Sequence, residues 1–194
     1  GEVARGHLGV GPRREPRPGP EGVRSQPEFL LADLGQPQPR RRVAEQGIRF
    51  RRLRGNEMDT ESWSHVYSLI ARTFMLRGSL PYFNQAFFEG LGQRLGDNIV
   101  VILAELDDRP IAAAVFYESD TALYGRYWGS TEDLPALHFE AAYYQGIEHC
   151  IAHGFEVFES GAQGEHNISR GFKLVRTRSF HHLRDASLRS ALAH

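Results

Sequence analysis

Residues 99–129 read IVVILAELDDRPIAAAVFYESDTALYGRYWG, three strand-length runs in immediate succession. Ile99 to Leu106, Pro110 to Tyr117 and Thr121 to Gly129 are rich in branched and aromatic residues. The breaks between them, Asp107-Asp108-Arg109 and Glu118-Ser119-Asp120, are turn formers. Links this short join antiparallel neighbours, so the stretch predicts a three-stranded meander. The first two runs are apolar on both faces, which requires another layer on each side of the sheet.

The third run differs from the other two. Strict alternation puts Tyr124, Arg126 and Trp128 on one face and Gly125 and Gly129 on the other. Glycine inside a strand marks a close approach. An arginine between two aromatics requires an anion, a stacked ligand or a carboxylate beside it, because burying a lone guanidinium is prohibitive. A ligand subsite and a fold-holding ion pair are both open readings.

Working outward toward the N-terminus, Ile48 to Leu53 alternates as a half-buried strand. A helix capped at Asp59 or Thr60 follows, with Trp63, Val66, Tyr67, Ile70 and Phe74 on its core face and Gly78 at its end. A second helix is predicted from Asn84 to Leu95, with Phe87, Phe88, Leu91 and Leu95 inward, broken by Gly96-Asp97-Asn98. Toward the C-terminus, a long helix capped by Asp133, with Pro135 in its first turn, is predicted to run to Gly154. Its inward stripe is Phe139, Tyr143, Ile147, Cys150 and Ile151. A strand from Phe155 to Ser160, a short helix around Asn167 to Gly171, a strand from Lys173 to Leu183 and a terminal helix from Ala186 to Ala193 complete the pattern. The expected class is α/β, a mixed and mainly antiparallel sheet flanked by helices.

Composition bounds the rest. The 194 residues suit one domain, and the 41% apolar and 24% charged content is that of a globular chain. Seven of the ten prolines fall in residues 1–46. This Pro/Arg-rich segment is expected to be disordered apart from a short helix at Pro27 to Leu34, with Arg40-Arg41-Arg42 a solvated basic run, and the folded domain is expected over residues 47–194. A net charge of -1 removes any whole-molecule attraction to nucleic acid or anionic membrane. No apolar run approaches the roughly 20 residues that span a bilayer, and no secretory h-region opens the chain. Cys150 is the only cysteine, which excludes an internal disulfide and fits a cytoplasmic setting.

The order strand, two helices, meander, long helix, strand, short helix, strand is that of the GNAT acyltransferase fold. Five motifs sharpen this: Tyr124-Gly125-Arg126-Tyr127-Trp128-Gly129, Leu137-His138-Phe139-Glu140, Tyr143-Tyr144-Gln145, Gly161-Ala162-Gln163-Gly164-Glu165-His166 and Arg170-Gly171-Phe172. Together they resemble the GNAT-like N-acyltransferases related to Fem-type peptidoglycan aminoacyltransferases, over about Gly47 to Leu183. Members of that family are about twice this long, so the chain is similar to the second half of their architecture. It departs from them at Asn167, where a lysine is usual, and at Ser160, where a small apolar residue is expected.

The resemblance implies transfer of an acyl or aminoacyl group from an activated donor to an amine, in peptidoglycan-related metabolism. The donor is acyl-CoA or aminoacyl-tRNA, and the acceptor a small-molecule or peptide amine. In such folds the third meander strand and the strand after the long helix splay to admit the donor. Glu165 and His166, then Glu159, are the candidate bases beside the second splayed strand, and Tyr124 joins them as a catalytic candidate from the first. Glu165 as a helix cap and His166 as a structural histidine are the competing readings. Arg126, Trp128, His138, Glu140, Tyr144, Gln163 and Arg170 are the candidate substrate-binding residues. Glu140 and Tyr144 are one helical turn apart and within reach of Arg126 across the sheet, where an acceptor-recognition cluster and a buried ion pair are both open readings. The glycine-spaced pyrophosphate loop usual before the long helix is replaced by Ser130-Thr131-Glu132-Asp133-Leu134-Pro135, whose acidic pair would repel a pyrophosphate. That keeps aminoacyl-tRNA, and hence tRNA as a partner, in view.

Two other classes compete. His149 and His153, four apart on a helix beside Cys150, suggest a metal hydrolase, but the glutamate of His-Glu-x-x-His is missing. Solvent-exposed histidines at a helix C-terminus explain the pair without a metal. The histidines of His181-His182 alternate across a strand and cannot chelate together. A non-catalytic module binding cell-wall precursors, or an inactive fragment, is the third reading.

Overall fold

The computed structural model describes residues 37–160 together with Phe172, Arg184, Asp185 and Ser187. The expected strand at Lys173 to Leu183 and the helices at Pro27 to Leu34, Asn167 to Gly171 and Ala186 to Ala193 lie outside the described residues. So do Gln163, Glu165, His166 and Arg170.

The meander forms as its turn chemistry dictates. Strands β2 (Ile99–Leu106), β3 (Arg109–Glu118) and β4 (Ala122–Ser130) pair antiparallel in sequence. Asp107 and Asp108, at φ 50° and 59°, make the two-residue β2–β3 link. Positive φ at both central residues suits the right-handed twist of a hairpin, and aspartate tolerates it. Strand β1 (Arg49–Arg54) adds to β2 antiparallel, and β5 (Val157–Glu159) adds to β4 in parallel, giving the order β1-β2-β3-β4-β5.

Helices α2 (Thr60–Leu76) and α3 (Gln85–Leu95) cover one face. The Asp59 carboxylate accepts from the Ser62 N–H, and the Asn84 side chain accepts from the Phe87 N–H, so both starts are capped as their sequences require. Trp63, Val66, Leu69, Ile70 and Phe88 pack there on Ile99, Val101, Leu103 and Val115. Each such buried side chain contributes roughly 1.5–3 kcal/mol. Leu95, expected inward, is exposed because α3 ends there and the chain turns through Gly96–Asn98.

The opposite face is covered by α4. It opens as an α-helical turn at Leu137–Phe139, passes through a π-helical stretch at Glu140–Tyr144, and continues α-helical over Gln145–His153. Its start corrects the expected cap at Asp133. The entry residue is Ala136 at φ 66°, and Glu132 and Asp133 lie exposed ahead of the helix. Ala141 and Cys150 pack on Val100, Ile102, Phe116 and Leu123, whereas Ile151, expected inward, is exposed. The π-helical residue adds an extra step of rotation between the two halves, so one 3.6-residue stripe cannot describe both.

Residues 37–45 correct the expected disorder of the segment ending at residue 46. They form helix α1 (Pro37–Glu45), which sets Val43 among Ile48, Ala104, Ile111, Ala112 and Leu137. Nor is Arg40 a solvated charge, because it ties α1 to α4 through Glu140 and Glu148. Among the described residues, no helix is long and apolar enough to cross a membrane.

Candidate functional site

Strands β4 and β5 form a fork. They pair only at Ala122–Val157, Leu123–Phe158 and Tyr124–Glu159, after which β4 runs on to Ser130 while β5 stops at Glu159. A Cβ placed on Gly125 would sit 3.5 Å from Glu159 and Ser160 backbone atoms, so the strands part just beyond that glycine.

At the parting, β4 carries a bulge. Val115 faces Tyr127 but Phe116 faces Gly125, which leaves Arg126 as the extra residue. The bulge reverses the alternation. Leu123 and Trp128, five residues apart and opposite in a regular strand, pack on the same face, that of α4. Tyr124 stands opposite Tyr117, and both Tyr117 and Tyr127 pack on the α2 and α3 face. The expected single face of Tyr124, Arg126 and Trp128 is thereby corrected: Tyr124 and Trp128 lie on opposite sides of the sheet.

A cleft of about 520 Å³ passes through the fork. Gly125, Arg126, Tyr127 and Trp128 form one wall, and Ser160 marks where β5 turns away. The α4 side supplies His138, Ala142 and Tyr143, and the α2 side supplies Thr73, Phe74 and Arg77 with Ser79 and Tyr82 of the following loop. The aromatic lining is continuous. Trp128 and His138 ring centroids are 4.9 Å apart, His138 meets Tyr143 edge-on at 5.5 Å, and Tyr143 meets Phe172 at 5.7 Å. Such walls accept flat or apolar groups, and the two arginines favour an anion near them.

The electrostatics are set by burial. The Tyr117 phenol is pushed up to about 12 by burial, reinforced by Tyr127 beside it, and the Tyr127 phenol is raised by burial. The Arg126 charge opposes both rises. Both tyrosines are therefore neutral hydrogen-bond donors at neutral pH.

The candidates divide into three groups. Arg126, Trp128 and His138 are brought together in the cleft. Tyr124 and Glu159 face one another at the closed end of the fork, one residue before the lining Gly125 and Ser160. Glu140 and Tyr144 do not meet Arg126. The Arg40 Nε and Nη2 each donate to Glu140 at 3.1 Å, Gln145 donates to it at 2.9 Å, and the Arg40 guanidinium lies 5.7 Å over the Tyr144 ring. That correction follows from α1, whose arginine reaches the buried carboxylate first. Although burial alone would lower the Arg40 pKa, its two carboxylates hold it above the usual value.

The reading of His149 as exposed is also corrected, whereas His153 is exposed as expected. His149 is 1% exposed, its Nε2 lies 2.7 Å from Glu118, and its ring is 4.0 Å from that of His153. Burial lowers its pKa despite Glu118. Burial likewise pushes the Cys150 thiol up to about 12, away from thiolate chemistry. Among the described residues no cluster of three or more histidine, cysteine or acidic side chains is arranged to hold a metal.

The cleft residues missed by sequence reasoning are Phe74, Arg77, Ser79 and Tyr82. For Ser79 and Tyr82 the signal was present in Ser79-Leu80-Pro81-Tyr82-Phe83, an apolar loop between a helix stop and a helix cap.

A family named FemAB-like, described as peptidoglycan biosynthesis/recognition, matches residues 37–194. The chain belongs to the FemAB-like family. The matched region begins at α1, the helix that packs Val43 and Arg40 onto the domain. No curated protein matches this FemAB-like chain. Among solved structures it is similar to a predicted acetyltransferase from Clostridium acetobutylicum with acetyl-CoA, at 13% identity and TM-score 0.52 over 76% of this chain and 98% of that one. It is similar to the aminoglycoside N-acetyltransferase AAC(6')-Iy in complex with CoA, at 13% identity and TM-score 0.50 over 71% and 95%. A possible acetyltransferase from Clostridium difficile 630 matches at 6% identity and TM-score 0.52 over 70% and 97%. Likeness at these identities carries the fold, a GNAT acyltransferase fold, as the strand order predicted.

Proposed function

We propose that this FemAB-like chain transfers an acyl or aminoacyl group from an activated donor to an amine inside the β4–β5 fork. The observation that supports this most is the parting of β4 from β5 after Tyr124 and Glu159, with a cleft running through the gap. Beyond Tyr124, β4 has no strand partner on its β5 side among the described residues, so its backbone N–H groups are available to the donor carbonyl. Preorganised donors of this kind stabilise the oxyanion that forms as the amine attacks.

The chemistry assigns roles. The amine nitrogen, freed of a proton by a base, bonds to the donor carbonyl carbon. The tetrahedral oxyanion then collapses, breaking the C–S bond of a thioester or the C–O bond of an aminoacyl ester, and the leaving sulfur or oxygen takes up a proton. Glu165 and His166 are proposed as base, with Glu159 at the fork as the alternative carboxylate and Tyr124 opposite it as a proton donor. Arg126, Trp128 and His138 are proposed to hold substrate, with Gln163 and Arg170 as further contacts.

The donor is proposed as acyl-CoA or aminoacyl-tRNA. Acetyl-CoA and CoA in two structures of this fold support the first. The exposed Glu132 and Asp133 ahead of α4 favour the second, because they oppose a pyrophosphate at that helix start. The acceptor is proposed to be a peptide or small-molecule amine.

The test is to incubate the chain with labelled acyl-CoA or charged tRNA and amine acceptors. Transfer is expected with one donor and is expected to fall roughly 10²-fold or more in Glu165→Gln or His166→Ala. Full activity in both variants removes them from the base role and turns attention to Glu159→Gln. No transfer from either donor, with ligand still bound, favours a recognition module, the second sense of the family description.

A further inference from the structure

The end of α2 and the loop after it expose more apolar surface than any other described segment. Met75 is 58% exposed, Leu76 73%, Leu80 77%, Tyr82 80% and Phe83 43%, five of the eight large exposed hydrophobics in the described chain within nine residues. Scattered exposed leucines are ordinary, but a contiguous apolar tip marks an interaction site.

The rings of this tip are braced rather than loose. Tyr82 meets Phe74 edge-on at 5.4 Å, and Phe83 stacks on Phe87 at 3.9 Å. Each therefore loses little conformational freedom on docking. Leu76 and Leu80 are the most exposed aliphatic side chains of the tip.

The charge around the tip selects the occupant. From Ser62 to Phe88 there is no aspartate or glutamate, and the arginines Arg72 and Arg77 are the formal charges at neutral pH. A second copy docked by a two-fold axis would bring the same arginines together, which is repulsive. An anionic lipid surface instead attracts each arginine while the acyl boundary takes the leucines, methionine and aromatics. Amphipathic side chains of this composition settle at the headgroup level of a bilayer.

We infer that the Arg72–Phe83 tip docks the protein on an anionic lipid bilayer surface. Phe74, Arg77, Ser79 and Tyr82 of this segment also line the cleft, so docking sets the mouth of the fork at the membrane. The surface lies in addition to the transfer reaction and does not depend on it.

The test uses the full chain with sedimented vesicles of phosphatidylcholine alone or with phosphatidylglycerol, in low and high salt. Binding to the anionic vesicles is expected, reduced by salt. It is expected to fall roughly tenfold or more in Leu76→Gln/Leu80→Gln and to lose its salt dependence in Arg72→Gln/Arg77→Gln. All four substituted side chains are exposed, and matched unfolding curves establish that the variants fold. Equal binding to neutral and anionic vesicles, or wild-type binding by the leucine pair variant, overturns the inference. So does a concentration-dependent dimer in sedimentation velocity that the leucine substitutions dissociate, because that outcome gives the tip to a second copy.

Discussion

Arg40 and Glu140, a hundred residues apart in sequence, form a two-pronged pair in which the guanidinium Nε and Nη2 each lie 3.1 Å from a carboxylate oxygen. Glu140 is buried and opens the π-helical stretch whose Ala142 and Tyr143 line the cleft. The arginine thus joins the N-terminal helix to the wall of the candidate site.

Removing that arginine leaves a buried carboxylate with Gln145 as its remaining donor. Arg40→Ala is expected to cost about 2–3 kcal/mol in urea unfolding, more than any exposed ion pair contributes. Arg41→Ala, which breaks an exposed i,i+4 pair with Glu45, is expected to cost no more than ~0.5 kcal/mol. Equal effects would show that Arg40 is a surface charge after all.

A different constraint fixes α2 against β4. A Cβ on Gly129 would overlap the Leu69 carbonyl group and the Ile70 nitrogen. Backbone atoms cannot rotate away as a side chain does, so Gly129→Ala must separate helix from strand. A loss of about 3 kcal/mol or more is expected, read from the denaturation midpoint at unchanged m-value. Gly78→Ala, at a positive φ with open space around it, should cost only about 1 kcal/mol.

These two contacts also divide what the sequence disclosed from what it hid. The meander was legible because its apolar runs and turn residues are local signals, and Asp59 and Asn84 announced their helices for the same reason. Close approach at a strand glycine was legible in kind, though its partner Leu69 was not. The bulge at Arg126 was hidden, since the extra residue is defined by pairing with β3 rather than by anything in β4 itself. Helix α1 was hidden because its sequence is mostly proline, glutamine and arginine, and its stability comes from burying Val43 and pairing Arg40. The pairing of Glu140 failed with it, for a carboxylate's partner cannot be chosen among arginines whose elements are unplaced. Of the candidate substrate-binding residues, Arg126 and Trp128 came from the residue types on the third strand and His138 from the family resemblance, and all three line the cleft, whereas the Phe74 to Tyr82 wall needed the fold to bring it across.

The buried His149 predicts an acid-sensitive fold. Burial lowers its pKa below the ordinary 6.5, with His153 and Arg52 adding to the fall and Glu118 opposing it. Because the unfolded chain then binds a proton before the folded one does, acidification favours unfolding. Stability is complete above about pH 6.5 and is lost as pH falls from there through the folded-state value. Unfolding free energies across pH 5 to 7.5 should show this slope, and His149→Gln should flatten it while keeping a side chain able to donate to Glu118. An unchanged slope in that variant would assign the effect to another group.

Gly125 offers a way to close the fork without unfolding the chain. Its φ is not positive, and a Cβ there would make ordinary contacts of 3.5 Å with Glu159 and Ser160 backbone atoms, so the position tolerates a side chain. Gly125→Ala should change stability by no more than about 1 kcal/mol. Gly125→Leu extends the same side chain into the space between β4 and β5, where the donor acyl group is proposed to lie. It is expected to reduce donor binding and transfer at least tenfold while its unfolding curve stays near that of Gly125→Ala. The pair separates occupancy of the cleft from integrity of the fold. If Gly125→Leu folds and binds the donor as tightly as wild type, the acyl group does not enter between the strands, and the reaction must be sought elsewhere on the molecule.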